Sequence, residues 1–277
     1  MRIVILAIII NLIILSPVPA AEVLTIGGTG SALGTMKLLA SAFEKIHPGT
    51  EVNVLKSLGS SGGIKAVAKG AIDIGLSSRL IREDERSEDL QVDKYSMSPL
   101  AIITNKDVNI QDISTEQLVS AFRGKTSTWP DGHRIRPIMR PATEIDIFII
   151  KKISLEMRKA VEFAYSRKGL FIAVTDQECI STVERVPGAF GFSTLAQIIS
   201  EKRRVNVLAF NGITPSVQSL SDFTYHLFRS YYLVINKRPS IKVRNFLNFI
   251  YSSEGRSILE KSGNLVVMPK TLLNHEY

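Results

Sequence analysis

The chain has 277 residues, of which 45% are hydrophobic and 22% are charged, and its formal net charge is +8. This composition excludes a disordered or fibrous protein and is sufficient to form two packed lobes. Cys179 is the only cysteine, so an internal disulfide is excluded. No Cys/His spacing resembles a zinc site, and no metal or cofactor is expected.

The first twenty residues have the pattern of a secretory signal peptide. Arg2 supplies a positive start, and residues 3–15 form an apolar run interrupted only by Asn11. This run is shorter than the ~20 residues of a membrane-spanning helix, and no cysteine follows it to carry a lipid. The sequence therefore predicts cleavage after Ala20 and a periplasmic protein that is not a lipoprotein. In a compartment without nucleic acid, a basic chain indicates an anionic small ligand or a negatively charged surface as its partner.

Two segments share the order strand, glycine turn, hydroxyl residue, helix. The first is LTIGGTGSAL at residues 24–33, and the second is TEVNV at residues 50–54 followed by LGSSGGIKAVAKG at residues 58–70. Free backbone N–H groups and the positive end of the helix dipole meet where such a helix begins. The repetition predicts that two helix N-termini face one anionic ligand. Helix capping by Ser60 alone is the simpler interpretation of the second segment.

A buried strand at residues 71–76 leads into a polar loop, which is a third candidate arm of the site. Arg79 in this loop either reaches an anion as a fork of donors or pairs with the acidic run at residues 83–85. The spacing favours the ion pair.

The remaining chain alternates strands and helices without a repeat, which is typical of the α/β class. Arg140 follows a predicted strand at residues 135–139, and α/β proteins place ligand contacts at such strand ends. Residues 187–193 are interpreted as a buried turn that includes Phe190 and Phe192 in the core. The strands near residues 100 and 230 are suited to cross between two lobes. The other predicted elements are helices at residues 33–46, 114–122, 147 onward, 176–183, 241–251 and 255–262, strands at 98–105, 169–174 and 225–235, and a loop at 212–220.

Together, these segments resemble the phosphate-binding periplasmic components of ABC importers. The resemblance covers almost the whole mature chain, and its motifs are GSSGGIK at residues 59–65, DIGLSSR at 73–79, Trp129 after Gly124-Lys125, PGAFG at 187–191 and SEGR at 253–256. It implies a type II periplasmic binding fold with two α/β lobes, two crossover strands and a ligand cleft between the lobes.

The resemblance also implies a domain organisation and a ligand site. Residues 1–20 are then the signal peptide, residues 21–102 with 229–277 form lobe 1, and residues 103–228 form lobe 2. In that family, helix N-termini, hydroxyl groups, one arginine and one carboxylate hold phosphate without a metal. The corresponding positions in this sequence are Ser31, Ala32, Ser60 with its neighbour Ser61, Ser78 and Arg140.

Two departures from the family concern carboxylates. The family's proton-accepting carboxylate falls at Ser78, and its Ser-Gly-Thr turn falls at Glu144, Ile145 and Asp146. A carboxylate at a helix start is favoured by the helix dipole but repels a dianion. Either one of them replaces the lost acceptor and takes a hydrogen bond from the ligand O–H, or both are solvent-facing caps. We predict a cap role for Glu144 and a ligand-facing role for Asp146.

The sequence thus predicts a periplasmic solute-binding protein, not an enzyme, that captures a small oxyanion, with phosphate as the first candidate. An ABC permease in the inner membrane is the expected partner, nucleic acid is not, and the protein is expected to be a monomer.

Three alternatives remain open. One is an adaptor or sensor with a degenerate ligand site, which the altered turn at residues 144–146 favours. A second is a secreted serine hydrolase, since Ser61, Asp146 and His226 follow in hydrolase order. The third is a dinucleotide loop at residues 28–34, against which export argues.

Overall fold

The structure is a computed structural model that describes residues 22–269. The predicted signal peptide lies outside these residues. The strands are β1 Glu22–Gly28, β2 Thr50–Val54, β3 Ile74–Ser77, β4 Leu90–Asn105, β5 Asp112–Ile113, β6 Arg136–Met139, β7 Phe171–Ile172, β8 Ala189–Thr194, β9 Val205–Val207, β10 Ala209–Phe210, β11 Phe228–Asn236 and β12 Leu265–Val266. The helices are α1 Gly30–Ile46, α2 Gly59–Ala68, α3 Thr115–Arg123, α4 Ile145–Lys151, α5 Leu155–Ser166, α6 Asp176–Arg185, α7 Leu195–Ser200, α8 Val217–Ser221, α9 Ile241–Tyr251 and α10 Ser253–Lys261.

Two long strands connect two groups of shorter strands. The first part of β4 pairs antiparallel with β11, and its last part pairs antiparallel with β8. On one side the sheet continues from β11 through β3 and β1 to β2, and on the other it continues from β8 through β6 to β7. β4 and β11 are therefore the two crossover strands that the sequence predicts near residues 100 and 230.

Each group of strands packs on its own apolar core. One core contains Leu24, Met36 and Phe246, from segments near the two chain ends. Another contains Leu118 and Phe190, from the middle of the chain. Burial of such side chains stabilises the fold by about 25 cal/mol per Å² of apolar surface. The exact lobe boundaries of the sequence analysis stay a prediction.

Glycine is required where β1 leads into α1. Gly28 has a φ of 149°, and a Cβ added there would lie 2.0 Å from the backbone oxygen of Leu76 on β3. No other residue fits this close approach of two backbones. Because α1 begins only two residues later, the turn fixes the position of Ser31 at the start of the helix.

Local sequence signals at helix ends are confirmed, whereas one buried segment was misinterpreted. Ser114 caps α3 by accepting from the Gln117 N–H, and Gly124 ends the helix in the left-handed conformation. The interpretation of residues 187–193 as a turn is wrong, because they form most of β8, a central strand paired with β4 and β6. The Pro-Gly pair that suggested a turn only precedes the strand.

Other predicted elements differ in extent. The strand expected at residues 169–174 is reduced to the two residues of β7, and the loop expected at 212–220 contains α8. Helices α5 and α7 were not predicted. Within residues 22–269, none of the helices has the length and apolarity needed to cross a membrane.

Candidate functional site

A cavity of about 470 Å³, here called the anion cavity, lies at the N-terminus of α2, between segments of the two predicted lobes. It brings together Ser60, Ser61, Ser78 and Arg140 of the predicted site. Ser31, Ala32 and Asp146 do not line it. The cavity-lining residues are Thr29, Ser57, Leu58, Gly59, Ser60, Ser61, Ser78, Arg79 and Arg82 on one wall, and Arg140, Thr143, Glu144, Ile145, Val174, Thr175 and Asp176 on the other.

The first turn of α2 supplies hydrogen-bond donors to this cavity. Its N-cap residue, Leu58, makes no side-chain capping bond, so the N–H groups of the first turn have no side-chain acceptor of that kind. Ser60 is not the cap. Its hydroxyl accepts from the Ser78 N–H at 3.0 Å and lies 3.2 Å from the Ser78 hydroxyl. These bonds join the second and third predicted arms into one surface.

Arg79 pairs with Glu85, the partner that the spacing favours. The guanidinium donates to both carboxylate oxygens of Glu85 at 2.7 Å and to the Ser61 hydroxyl at 2.6 Å. The hydrogen bond from Arg79 outweighs the effect of burial and lowers the pKa of Glu85 to about 2. The Glu85 carboxylate thus holds Arg79 at the edge of the cavity.

We expect Glu85→Gln to reduce the free energy of unfolding by about 1 to 3 kcal/mol at neutral pH, because a charge-assisted hydrogen bond is lost. The folded-state pKa lies below the ordinary value of 4.5. The ion pair therefore stabilises the protein fully above pH 4.5, and this contribution is lost as the pH falls towards about 2. Urea denaturation of wild type and variant across this range measures the difference.

The matched control is Glu83→Gln, since the Glu83 side chain is 84% exposed in the same acidic run. This control should behave as the wild type. An unchanged stability difference between Glu85→Gln and wild type from pH 7 to pH 2 would contradict the role of the ion pair.

Arg140 is buried at the opposite wall of the anion cavity, at the end of β6. One of its nitrogens donates to the Ala173 backbone oxygen at 2.8 Å. Another lies 3.4 Å from a Glu144 carboxylate oxygen and 3.5 Å from an Asp176 carboxylate oxygen. Its Nε is buried and has no hydrogen-bond partner within residues 22–269. Arg140 therefore lines the cavity with its charge balanced by two carboxylates and with one donor unused.

Arg229, on the crossover strand β11, is the centre of a buried network that the sequence analysis missed. It is 2% exposed, and its guanidinium donates to both carboxylate oxygens of Asp146. It also donates to an Asp176 oxygen at 2.9 Å and to the Ser31 hydroxyl. Burial disfavours the charge of Arg229, but the two carboxylates outweigh it and raise its pKa well above the ordinary value. Arg229 thus links the starts of α1, α4 and α6.

Asp176 is the first residue of α6, and its carboxylate lies at the N-terminus of α1. Its Oδ2 accepts from the Ser31 N–H at 3.1 Å. Burial opposes ionisation of this carboxyl, but the charges of Arg229 and Arg140 outweigh burial and hold its pKa below the ordinary value. A carboxylate is favoured at this position by the dipole of α1. Ser31 of the first predicted arm therefore binds an internal carboxylate, and only Thr29 of that arm lines the anion cavity.

The surroundings of the two carboxylates after Arg140 differ from those predicted. Asp146, for which a ligand-facing role was predicted, is 1% exposed and gives both oxygens to Arg229. Glu144 stands at the N-cap position of α4 but makes no capping bond, and it lines the cavity. Burial raises the pKa of Glu144, and the charge of Arg140 opposes this shift. The physical reason is that α4 begins at Ile145, which turns Asp146 onto the buried face of the helix.

Some of the missed residues had a signal in the sequence. Asp176 follows Val174 and Thr175 in the same order of strand, hydroxyl residue and helix as the predicted arms. Arg229 is a cation within the apolar run of β11, where an unpaired charge would be costly. Arg82 also lines the cavity, and within residues 22–269 it forms no ion pair. Only the fold shows that these residues adjoin the predicted site.

A hydrolase triad is not assembled from the residues that suggested it. Asp146 is paired with Arg229, and the Ser61 hydroxyl accepts from Arg79. His226 lines a different cavity from Ser61. In the described part of the chain, no group of three or more His, Cys, Asp and Glu side chains is placed to hold a metal ion.

Comparison with known proteins identifies related binding proteins. The PBP superfamily domain, PBP_like_2, matches residues 16–254. The chain is 25% identical over 252 residues to the phosphate-binding protein PstS of Borreliella burgdorferi, which covers 88% of this chain and 90% of that protein.

Two solved structures share the fold. A candidate phosphate ABC transporter substrate-binding protein from Clostridium perfringens, solved with bound phosphate, has a TM-score of 0.73 at 21% identity and covers 89% of this chain and 100% of that chain. An ABC-type phosphate transport receptor from Vibrio cholerae has a TM-score of 0.60 at 21% identity and covers 90% of this chain and 100% of that chain. These matches confirm the predicted two-lobed α/β architecture of type II periplasmic binding proteins.

Proposed function

This chain belongs to the PBP superfamily, and from that premise we propose that it is a periplasmic solute-binding protein that captures a small oxyanion, with phosphate as the first candidate. An ABC permease in the inner membrane is the proposed recipient. The observation that carries the proposal is the anion cavity, where the open first turn of α2, the hydroxyls of Ser60 and Ser78 and the cation Arg140 converge.

The proposed mechanism is closure of the two lobes over the ligand, without chemistry. One wall of the cavity comes from the segments before residue 102 and the other from the segments between residues 140 and 176. An anion that contacts both walls stabilises the closed arrangement relative to the open one. β4 and β11 connect the lobes and are the proposed axis of the rotation.

Glu144 is the proposed acceptor of a ligand proton, in the place predicted for Asp146. It lines the cavity beside Arg140. An ionised carboxylate accepts a hydrogen bond from the O–H of hydrogen phosphate. Sulfate has no such proton at neutral pH, so two acceptors would face each other unpaired. The protein should therefore prefer phosphate to sulfate.

Isothermal titration calorimetry of the mature protein with phosphate and sulfate tests the proposal. We expect phosphate to bind and sulfate to bind at least about tenfold more weakly, since an unpaired buried acceptor costs about 1 to 3 kcal/mol. Equal affinities for phosphate and sulfate would contradict the proposed acceptor role of Glu144. Absence of binding by a wider set of oxyanions, including arsenate and molybdate, would refute oxyanion capture.

The Asp176 network favours a second candidate function, that of an adaptor or sensor acting through protein contacts. The N–H of Ser31 and the guanidinium of Arg229 are already bound to internal carboxylates. These donors are consequently not free for a ligand. If the protein is an adaptor, the oxyanion titration shows no heat of binding. If it captures an oxyanion, the donors of α2 and Arg140 are sufficient for binding, and the titration shows heat.

A further inference from the structure

A second cavity, of about 730 Å³, adjoins the anion cavity and differs from it in chemistry. Ser78, Arg79 and Ile145 line both cavities, so the two spaces meet along these residues. We call the part of its lining formed by Leu80, Ile145, Ile149, Ile153, Phe228 and Tyr232 the apolar pocket.

Helix α4 places one apolar face in this pocket. Ile145 and Ile149 are four residues apart and therefore lie on the same side of the helix, and Ile153 follows shortly after its end. The opposite side of α4 carries Ile147 and Ile150, which are buried in the core of the middle segment. Ile149 and Ile153 also pack against the edge of this core. α4 thus contributes apolar side chains both to the core and to the apolar pocket.

The crossover strand β11 supplies the facing wall. Phe228, Ser230 and Tyr232 alternate along the strand and share one of its faces. Arg229 and Tyr231, on the other face, are buried. Phe228 is 36% exposed, and Leu80, from the loop after β3, is 63% exposed. Large apolar side chains from α4, from β11 and from the loop after β3 therefore surround the second cavity and remain partly exposed to solvent.

Size and charge indicate what this space holds. Binding sites for small organic molecules have cavities of about 300 to 1,000 Å³ with a mainly apolar lining and a few polar groups, and the second cavity has this character. Its charged lining residues are Arg79 and Lys152, both cations, and no Asp or Glu of the described part of the chain lines it. An inorganic oxyanion in the anion cavity would leave the apolar pocket empty.

We infer that the ligand is an organic phosphate, with its phosphoryl group in the anion cavity and an apolar or aromatic group in the apolar pocket. This inference rests on the proposed oxyanion capture and specifies the class of ligand. Burial of the organic group removes apolar surface of both ligand and protein from water, which an inorganic anion does not do. Ile145 lines both cavities, so the sites for the two groups of such a molecule are adjacent.

Calorimetry with three probes tests the inference: inorganic phosphate, methyl phosphate and phenyl phosphate. The titrations are carried out at about pH 5, below the second phosphate pKa of about 6, so that inorganic phosphate and both esters carry an O–H for Glu144. The two esters have the same charged group and differ in apolar area. We expect phenyl phosphate to bind about tenfold or more tightly than methyl phosphate, at roughly 25 cal/mol per Å² of added buried area. Ile149→Ala should reduce the affinity for phenyl phosphate about three- to tenfold and leave the affinity for methyl phosphate within twofold.

The matched control is Phe148→Ala, which shortens an apolar side chain of the same helix that is 51% exposed and lines neither cavity. It should leave the affinities for both esters unchanged. Equal affinity for the two esters, or binding of inorganic phosphate without binding of phenyl phosphate, would contradict the inference that the apolar pocket binds an organic group. Oxyanion capture would still stand. If none of the three probes binds, the inference fails, and the wider set of oxyanions then decides whether oxyanion capture fails as well.

Discussion

Replacement of Arg229 by methionine is expected to reduce the free energy of unfolding by about 3 to 5 kcal/mol. The variant keeps a long side chain but leaves Asp146 and Asp176 buried without the cation that contacts both. Removal of one partner from a buried ion pair has a cost of this order, because the remaining charge is neither hydrated nor paired. Asp176 keeps Arg140 nearby, whereas Asp146 has no other ion-pair partner within residues 22–269. Urea denaturation at neutral pH measures the loss.

The control for this variant is Arg238→Met, which removes an exposed arginine just after β11. It should change stability by less than about 0.5 kcal/mol, as is usual for surface positions. The double variant Arg229→Met with Asp146→Leu should recover part of the loss, since an apolar pair leaves fewer buried charges. A single variant as stable as Arg238→Met would show that the network is not a stabilising feature.

Arg140→Ala is expected to lower the affinity for phosphate by about 100-fold, because it removes the buried cation of the anion cavity. The fold should persist. Asp176 keeps its bonds to Arg229 and to the Ser31 N–H, and Glu144 is partly open to water. Calorimetry with phosphate gives the affinity, and thermal denaturation establishes that the variant is folded.

Two further variants make this test specific. Arg136→Ala removes a cation from the same strand, β6, but Arg136 is exposed and does not line the anion cavity, so phosphate affinity should be unchanged. Ser60→Ala removes a neutral hydroxyl and should weaken binding by about five- to tenfold, less than Arg140→Ala. Unchanged affinity in a folded Arg140→Ala protein would refute the assignment of the cavity.

Sequence reasoning succeeded where a signal is local. The glycine-hydroxyl segment at residues 59–65 starts a helix, and the Ser114 cap with Gly124 bounds another. It failed for residues 187–193, since a fully buried strand has no alternation to distinguish it from a buried turn. It also predicted a ligand-facing Asp146, whereas Asp146 is buried against Arg229 and Glu144 lines the cavity. The helix begins at Ile145, two residues earlier than predicted, and such a shift changes which side chain faces the core.

The sequence by itself determined the α/β class, the crossover strands and the positions of Ser60 and Arg140 at a helix start and a strand end. These features follow from periodicity and turn chemistry over a few neighbouring residues. The tertiary structure decided that Arg229 pairs with residues 83 and 53 positions away, and that α4 and β11 enclose an apolar space beside the anion cavity. Such contacts join distant segments, so no local pattern specifies them, and packing of the whole chain selects the partner of each buried charge.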